Sequence, residues 1–189
     1  MILPGDLQSQ KMRRFFWLLF GLTILTILGM QITGESLKTE AAHAGIVSFE
    51  LVGTLSGSQS IVESWQGPAM TWVGINMGLD FLFLFLYAST IALACLILSD
   101  KMATNLGVLK ILGKWLAVGI LIAAGLDIIE NISLILLLTG SENEFLPQLA
   151  RWCAIPKFAL VLLSLLYIVA GGLIDLMKKY DLAKGTHLE

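Results

Sequence analysis

Three polar side chains interrupt a long apolar run in the second half of the chain. Asp127, Glu130 and Asn131, in the segment GLDIIEN, lie within the hydrophobic stretch from Trp115 to Thr139. Their spacing of three and four residues places all three on one face of a helix. Polar groups at bilayer depth are costly, and they usually pair with each other or mark a ligand site or proton relay. The segment therefore predicts a polar centre around which the other segments are arranged.

The other segments carry candidate partners for this face. In the second apolar run, Asn76, Asp80 and Tyr87 share one face of a helix. Lys157 lies near the beginning of the last apolar run, and Glu50 lies in the long connection that follows the first. The predicted ligand-binding site combines side chains from all four segments: Glu50, Asn76, Asp80, Tyr87, Asp127, Glu130, Asn131 and Lys157.

The balance of charge predicts how this site behaves. Asp80, Asp127 and Glu130 against Lys157 would sum to −2 if all four side chains were ionised. Because unbalanced carboxylates are unfavourable at low dielectric, at least one is expected to hold a proton. General acid–base sites and proton relays share protons in this way, which makes Glu130 and Asp80 candidate catalytic residues. The structural alternative is that the acids are hydrogen-bond links between helices, worth roughly 0.6 kcal/mol each.

The composition places these residues in a membrane protein. Of the 189 residues, 57% are hydrophobic and 14% are charged, and the mean hydropathy is +0.84. Soluble domains carry about 25% charged residues, so this chain has too few to cover a water-exposed surface. A net charge of −2 gives no reason to expect nucleic acid as a partner. Cys95 and Cys153 form no CxxC motif, and with two histidines in the chain the sequence predicts neither a metal nor another cofactor.

The apolar runs predict an all-α fold, a bundle of four transmembrane helices in one domain. A span needs about 20 apolar residues, and four runs are long enough. Ser60 and Glu63 have the spacing of a capping box, which predicts a short amphipathic helix in the first connection. The predicted spans are about 15–33, 69–99, 108–139 and 152–177, and the amphipathic outer loop is 34–68.

The basic residues predict the orientation of the bundle. Nine of them fall on one side of four spans, against three on the other, which is a strong positive-inside signal. Both termini are therefore expected in the cytoplasm, and the 34–68 loop is expected outside. The nine are Lys11, Arg13, Arg14, Lys101, Lys110, Lys114, Lys178, Lys179 and Lys184, and the three are Lys38, Arg151 and Lys157.

The position of Lys157 allows two interpretations. Pro156 is suited to the first position of a helix, which would leave Lys157 at the outer end of the fourth span. Its ammonium group would then extend to the lipid headgroups. In the other interpretation the side chain turns inward and joins the acids. The sequence leaves both open.

Four motifs resemble those of a family of uncharacterised bacterial four-span integral membrane proteins. They are GIVSFELVGT (45–54), GLDFLFLFLY (78–87), GLDIIEN (125–131) and KFALVLLSLLY (157–167). The resemblance covers most of the chain and implies a four-helix membrane fold in the inner membrane of a bacterium, but it implies no activity. A looser likeness to membrane proteins of the sterol-isomerase type rests on intramembrane acids alone and is an analogy. The family resemblance directs attention to Glu50, Asp80, Asp127, Glu130, Asn131 and Lys157.

The leading functional hypothesis is a pocket for a lipid-like or small amphipathic molecule in the outer half of the bilayer. Apolar walls are expected from Phe81, Phe83, Phe85 and Leu134, since ligand sites combine apolar linings with a few polar groups.

Other functions stay open beside the pocket. In the first alternative the protein is an enzyme, and a buried carboxylate acts as general acid or base on a lipid. A proton-coupled carrier would need a polar path to the cytoplasmic side, and the inner halves of the spans offer little beyond Thr90, Cys95 and Ser164. A structural or assembly protein is the remaining alternative. Membrane lipids are the expected partners, and an oligomer is possible.

Overall fold

The computed structural model describes residues 4–102 and 107–185, and within them the chain is all-α with no strand. The helices are α1 (Pro4–Gly34), α2 (Ile46–Leu51), α3 (Leu55–Ser64), α4 (Pro68–Lys101), α5 (Gly107–Leu138) and α6 (Phe145–Gly185). A 3₁₀ turn, Glu35–Leu37, follows α1. The segments Gln10–Leu37, Pro68–Lys101, Gly107–Leu138 and Phe145–Met177 are long and apolar enough to cross a membrane. The predicted fold class is confirmed: this is an integral membrane bundle of four long helices.

The centre of the bundle is formed by α4, α5 and α6. Helix α5 packs against both α4 and α6; the core between them is formed mainly by leucine, isoleucine and alanine side chains of α4 and α5, and α6 contributes Tyr167. Helix α1 lies at the periphery, packs mainly against α4 and leaves most of its apolar side chains exposed. Exposed apolar side chains are what a lipid-facing surface requires, because lipid tails are as apolar as leucine.

Polar side chains fix α1 to α4. The Thr23 and Thr90 hydroxyls are 2.9 Å apart, and Asn76 Nδ2 donates to the Met30 carbonyl at 3.0 Å and to Thr33 Oγ1 at 2.7 Å. Helix α1 buries little apolar area against the bundle. These hydrogen bonds hold it against α4, because separating the two helices would leave the polar groups unpaired in lipid.

The connection between α1 and α4 folds over one end of the bundle, which we call the capped end. Trp65, at the end of α3, is fully buried and its Nε1 donates to the Leu37 carbonyl at 2.8 Å. Phe49 of α2 packs edge-on against the Trp65 ring, with centroids 5.4 Å apart. The amphipathic segment thus forms an apolar plug on the ends of α4 and α5 and does not lie apart from them.

Two local predictions are wrong. Ser60 is not an N-cap, because α3 begins at Leu55 and Thr54 Oγ1 accepts the cap hydrogen bond from the Gly57 amide. Pro156 does not begin the last helix, because α6 begins at Phe145 and Pro156 lies inside it. Proline suits the first turn of a helix, but transmembrane helices also tolerate it in their interior, where neighbouring groups satisfy the freed backbone carbonyl. The polar residues before Trp152 made the first two turns of α6 resemble a loop.

Candidate functional site

Lys157 is the centre of a buried ion-pair cluster between α2, α5 and α6. Its Nζ lies 3.0 Å from Asp127 Oδ1 and 2.8 Å from Glu130 Oε2, and it donates to Glu130 Oε1 at 2.9 Å. A third carboxylate oxygen, Glu50 Oε2, lies at 3.7 Å. The Lys157 side chain is 8% exposed, so it does not extend to the headgroups. The interpretation in which Lys157 joins the acids is the one that the structure bears out.

Asp127 and Asn131 connect this cluster to a fourth acid, Asp80 on α4. Asp127 Oδ2 accepts from the Tyr87 hydroxyl at 3.0 Å, and Asn131 Nδ2 donates to Asp80 Oδ2. The same amide lies 3.4 Å from Asp127 Oδ1. Because Asp127 and Asn131 are four residues apart, they lie on one face of α5. This face joins Asp80 and the cluster around Lys157 into one continuous network. We refer to the seven side chains Glu50, Asp80, Tyr87, Asp127, Glu130, Asn131 and Lys157 as the acid–lysine network.

Glu50 is the member of the network that comes from outside the long helices. It is buried, with 6% of its surface exposed, although it belongs to a helix of only six residues. Burial raises the pKa of Glu50 from 4.5 to about 7; Lys157 opposes this rise, and Asp80 and Asp127 add to it. The three carboxylates within 4 Å of one ammonium would carry an excess of negative charge if all were ionised. A proton held by Glu50 reduces that excess.

Asp80 differs from the other acids because part of its surface is accessible. It is half-buried, whereas Asp127 and Glu130 are 2% and 1% exposed. Asp80 is also the acid farthest along the network from Lys157, which it reaches through Asn131 and Asp127. Asp80 is therefore the most accessible acid of the network.

A groove opens between α1, α2 and α4, and Asp80 is not among the residues that line it. Its volume is about 290 Å³ and its surface is mostly apolar. Two α4 residues line it, Asn76 and Phe83, and these lie one turn before and one turn after Asp80 on the same helix face. The other lining residues are Ile27, Met30, Gln31 and Gly34 of α1, and Lys38, Ala44, Gly45, Ile46 and Val47 of the connection.

Some residues singled out in the sequence lie elsewhere. Asn76 is buried but hydrogen-bonds to α1 and not to the acids. Among the expected apolar walls, Phe83 lines the groove and Leu134 lies in the core of the capped end. Phe85 is 63% exposed and points away from the bundle. Phe81 packs on the core between α4 and α5.

Several residues that shape this region were not predicted from the sequence. Thr33 and the Met30 carbonyl position Asn76, and Gln31 and Lys38 stand at the groove. A threonine every three to seven residues on α1 is a weak signal, since threonine hydroxyls in membrane helices commonly bond to their own backbone, as Thr26 does to Leu22. The groove depends on how α2 folds back, and no local pattern encodes that.

Comparison with known proteins gives no relative from which to transfer a function. No family model, no curated protein sequence and no solved structure matches the chain. The resemblance to bacterial four-span membrane proteins stays a prediction.

Proposed function

We propose that the protein binds a lipid-like or small amphipathic molecule in the groove between α1, α2 and α4. The observation that carries this proposal is the position of Asp80, which is half-buried and is flanked on its helix face by the groove residues Asn76 and Phe83. Apolar side chains of α1 and α2 would contact the body of the ligand, and amide and carboxyl groups would bind its polar end. Ligand sites commonly combine an apolar lining with a few polar groups.

The size and position of the groove limit what it would hold. A volume of about 290 Å³ lies at the lower end of small-molecule sites, so it would accept part of an acyl chain or a compact amphiphile. Its lining runs from Lys38, in the connection, to Phe83, deeper along α4. This direction suits a molecule that enters sideways from the bilayer with its polar group at the capped end.

The test is photo-crosslinking of a fatty acid that carries a diazirine in its chain, with the protein in liposomes. We expect adducts on groove residues such as Met30 and Val47. Ile27→Trp, which fills the groove, should abolish the adducts, whereas the matched control Leu28→Trp should not, because Leu28 is exposed to lipid and lies outside the groove. Equal labelling of both variants would reject the groove as the site.

The contribution of the acid–lysine network is tested separately. Asp80→Asn and Glu130→Gln keep the shape of each side chain but change its charge and its hydrogen bonding. We expect both variants to lose the fatty-acid adducts and any lipid that co-purifies and is detected by mass spectrometry, while circular dichroism shows an intact bundle. If both variants retained full binding, the network would have no part in ligand recognition.

Catalysis by Asp80 is a second candidate function, and its partial exposure next to the groove favours it. A carboxyl group held by Asn131 is positioned to act as general acid or base on a bound lipid. Glu130, the other catalytic candidate, is fully buried against Lys157. Turnover of a lipid substrate, with a pH profile that changes in Asp80→Asn, would distinguish catalysis from binding alone.

A structural role is the third candidate, and the close pairing of Lys157 with Asp127 and Glu130 favours it. These contacts join α5 to α6 in the interior, as interhelical links do. This role predicts that acid-to-amide variants lower the melting temperature and leave ligand labelling unchanged.

A further inference from the structure

Helix α2 contacts both the groove and the acid–lysine network. Gly45 and Ile46–Val47, at its beginning, line the groove, and Glu50, near its end, reaches the cluster around Lys157. Gly45 and Gly53, on either side, have φ angles of 60° and 69°. Glycine adopts these angles without steric cost, so both positions can absorb changes in backbone direction. Movement of this one segment would alter the groove and the network together.

Apolar packing and one acid hold α2 in place, and Ile46 also packs against the core of the capped end. Phe49 and Glu50 are its buried residues, while Val47 and Leu51 are exposed. Phe49 packs on the Trp65 ring and contributes apolar contact that is independent of pH. Glu50 contributes a polar contact whose strength depends on its charge. The charge of Glu50 is therefore the variable part of the attachment.

The surroundings of Glu50 do not favour its ionised form. Lys157 on α6 is the cation that faces it, at 3.7 Å, but that ammonium lies closer to Glu130 and Asp127 on α5. Asp80 on α4 and Asp127 on α5 repel the ionised form, and a hydrogen bond with Glu130 on α5 favours it, but neither Lys157 nor Glu130 offsets the effect of burial. Burial, the largest effect, raises the pKa of Glu50 to about 7, whereas a released, solvated α2 would leave it near the ordinary 4.5.

We propose that α2 is a strap over the groove, docked while Glu50 carries a proton and released when Glu50 ionises, so that ligand exchange is coupled to proton loss. The coupling to a ligand rests on the proposed function of the groove, whereas the movement of α2 does not. Because the docked state binds the proton more tightly, docking is strongest below pH 4.5 and weakens until about pH 7. The ratio of released to docked α2 should rise on the order of 100-fold over this interval.

The experiment measures the distance between α2 and α6 as a function of pH. Nitroxide labels are attached at Leu51→Cys and Gln148→Cys, two exposed positions, in a background where the free cysteines Cys95 and Cys153 are replaced by alanine. With the protein in nanodiscs, double electron–electron resonance should give one short distance at pH 5. At pH 8.5 a longer or broader distribution should appear. An identical distribution at both pH values would overturn the proposal.

Variants identify Glu50 as the group that titrates. Glu50→Gln should keep the short distance at both pH values, while the matched control Glu63→Gln, an exposed acid on α3, should retain the wild-type response. Asp80→Asn removes a repulsion and should move the transition to lower pH even if Glu50→Gln failed to fold. A pH response that persists in Glu50→Gln would contradict the strap.

The distance measurements test the strap, and the crosslinking tests the groove as a ligand site, so either proposal can be rejected without the other. If the distances respond to pH but Ile27→Trp and Leu28→Trp are labelled equally by the photoreactive fatty acid, the strap stands and the groove is not the ligand site. If the distances are static but Ile27→Trp alone loses its labelling, the groove binds ligand and the strap proposal is wrong. The coupling itself requires wild-type labelling to vary between pH 5 and pH 8.5 and Glu50→Gln labelling to stay constant.

Discussion

At the scale of single residues, Lys157 is the side chain on which the buried acids depend. It is close to three carboxylates from two helices, and the ammonium is almost completely removed from solvent. Removing one partner of a buried ion pair costs more than the pair itself contributes, because the other charge remains buried without compensation. The consequence can be measured with one substitution and a matched surface control.

Lys157→Met should lower the free energy of unfolding by roughly 3–5 kcal/mol, since it leaves Asp127 and Glu130 without their cation. Lys38→Met is the control, because Lys38 pairs with Glu35 on the surface and such pairs contribute about 0–1 kcal/mol. Thermal unfolding in detergent, followed by circular dichroism, gives both values. Similar losses in the two variants would show that the buried lysine has no special role.

The double variant Glu130→Gln with Lys157→Met tests whether charge is the cause. Removing a carboxylate together with its cation should recover part of the stability lost in Lys157→Met alone. If the two losses were simply additive, the cost of Lys157→Met would reflect lost packing and not an uncompensated acid. The same unfolding assay measures all three variants.

At the scale of elements, α5 and α6 pack closely at Gly113. A Cβ atom there would clash with the Tyr167 ring and hydroxyl, whereas a Cβ at Gly125, on the same helix, would meet nothing within 4 Å. The two positions therefore separate packing from helix propensity. Alanine substitutions at the two positions therefore test the contact between Gly113 of α5 and Tyr167 of α6.

Gly113→Ala should destabilise the bundle by about 1–3 kcal/mol, because the buried Tyr167 ring must move. Gly125→Ala should be neutral or stabilising by up to about 1 kcal/mol, since alanine favours helix over glycine. Melting temperatures of the purified variants measure both effects. A harmless Gly113→Ala would contradict the α5–α6 contact.

The helices could be predicted from the sequence to a greater extent than the contacts between them. Long apolar runs have few ways to satisfy their backbone in lipid other than helix, so four spans followed from composition and length. The beginning of α6 was missed because Glu142, Glu144 and Arg151 made its first turns read as a loop. Periodicity alone does not show whether a proline begins a helix or interrupts it, so Pro156 was misplaced.

The network was predictable in its members but not in its connections. Spacing on α5 placed Asp127, Glu130 and Asn131 on one face, and all three are buried together. The direction of Lys157 depends on the way α6 packs against α5, and the position of Glu50 depends on the fold of the loop. Both are long-range properties that one segment does not encode. Asn76 shows what periodicity cannot predict. Its position on the face of α4 that carries Asp80 was predicted, but its hydrogen-bond partner is on α1 and not among the acids.

At the scale of the whole molecule, the dependence of stability on pH should include a contribution from Glu50. Its pKa is raised in the folded protein, so its contribution is fully present below pH 4.5 and is lost as pH rises towards about 7. The loss amounts to roughly 3 kcal/mol at most. Glu50→Gln should therefore match the wild type at pH 5 and unfold at a higher temperature at pH 8, as measured by thermal unfolding. A difference of the opposite sign would mean that the ionised Glu50 stabilises the fold.

The orientation of the bundle is a further prediction of the whole molecule. From the distribution of basic residues we expect the capped end outside and both termini in the cytoplasm. Ser60→Cys, exposed on α3, should react with a membrane-impermeant maleimide in intact cells. A fluorescent protein fused to the C-terminus should fold and fluoresce. If Ser60→Cys did not react with the maleimide and the fused protein did not fluoresce, the bundle would have the opposite orientation.

The order of the helices along the chain has a consequence for biosynthesis. The acids of α4 and α5 leave the ribosome before α6, so they enter the membrane while Lys157 has not yet been translated. Until the last helix inserts, the nascent bundle contains carboxyl groups without their cation, at the cost that a charge in lipid carries. Insertion of α6 is thus the step that completes the protein. Quality-control proteases that recognise unassembled membrane helices would find their substrate in chains that stop before it.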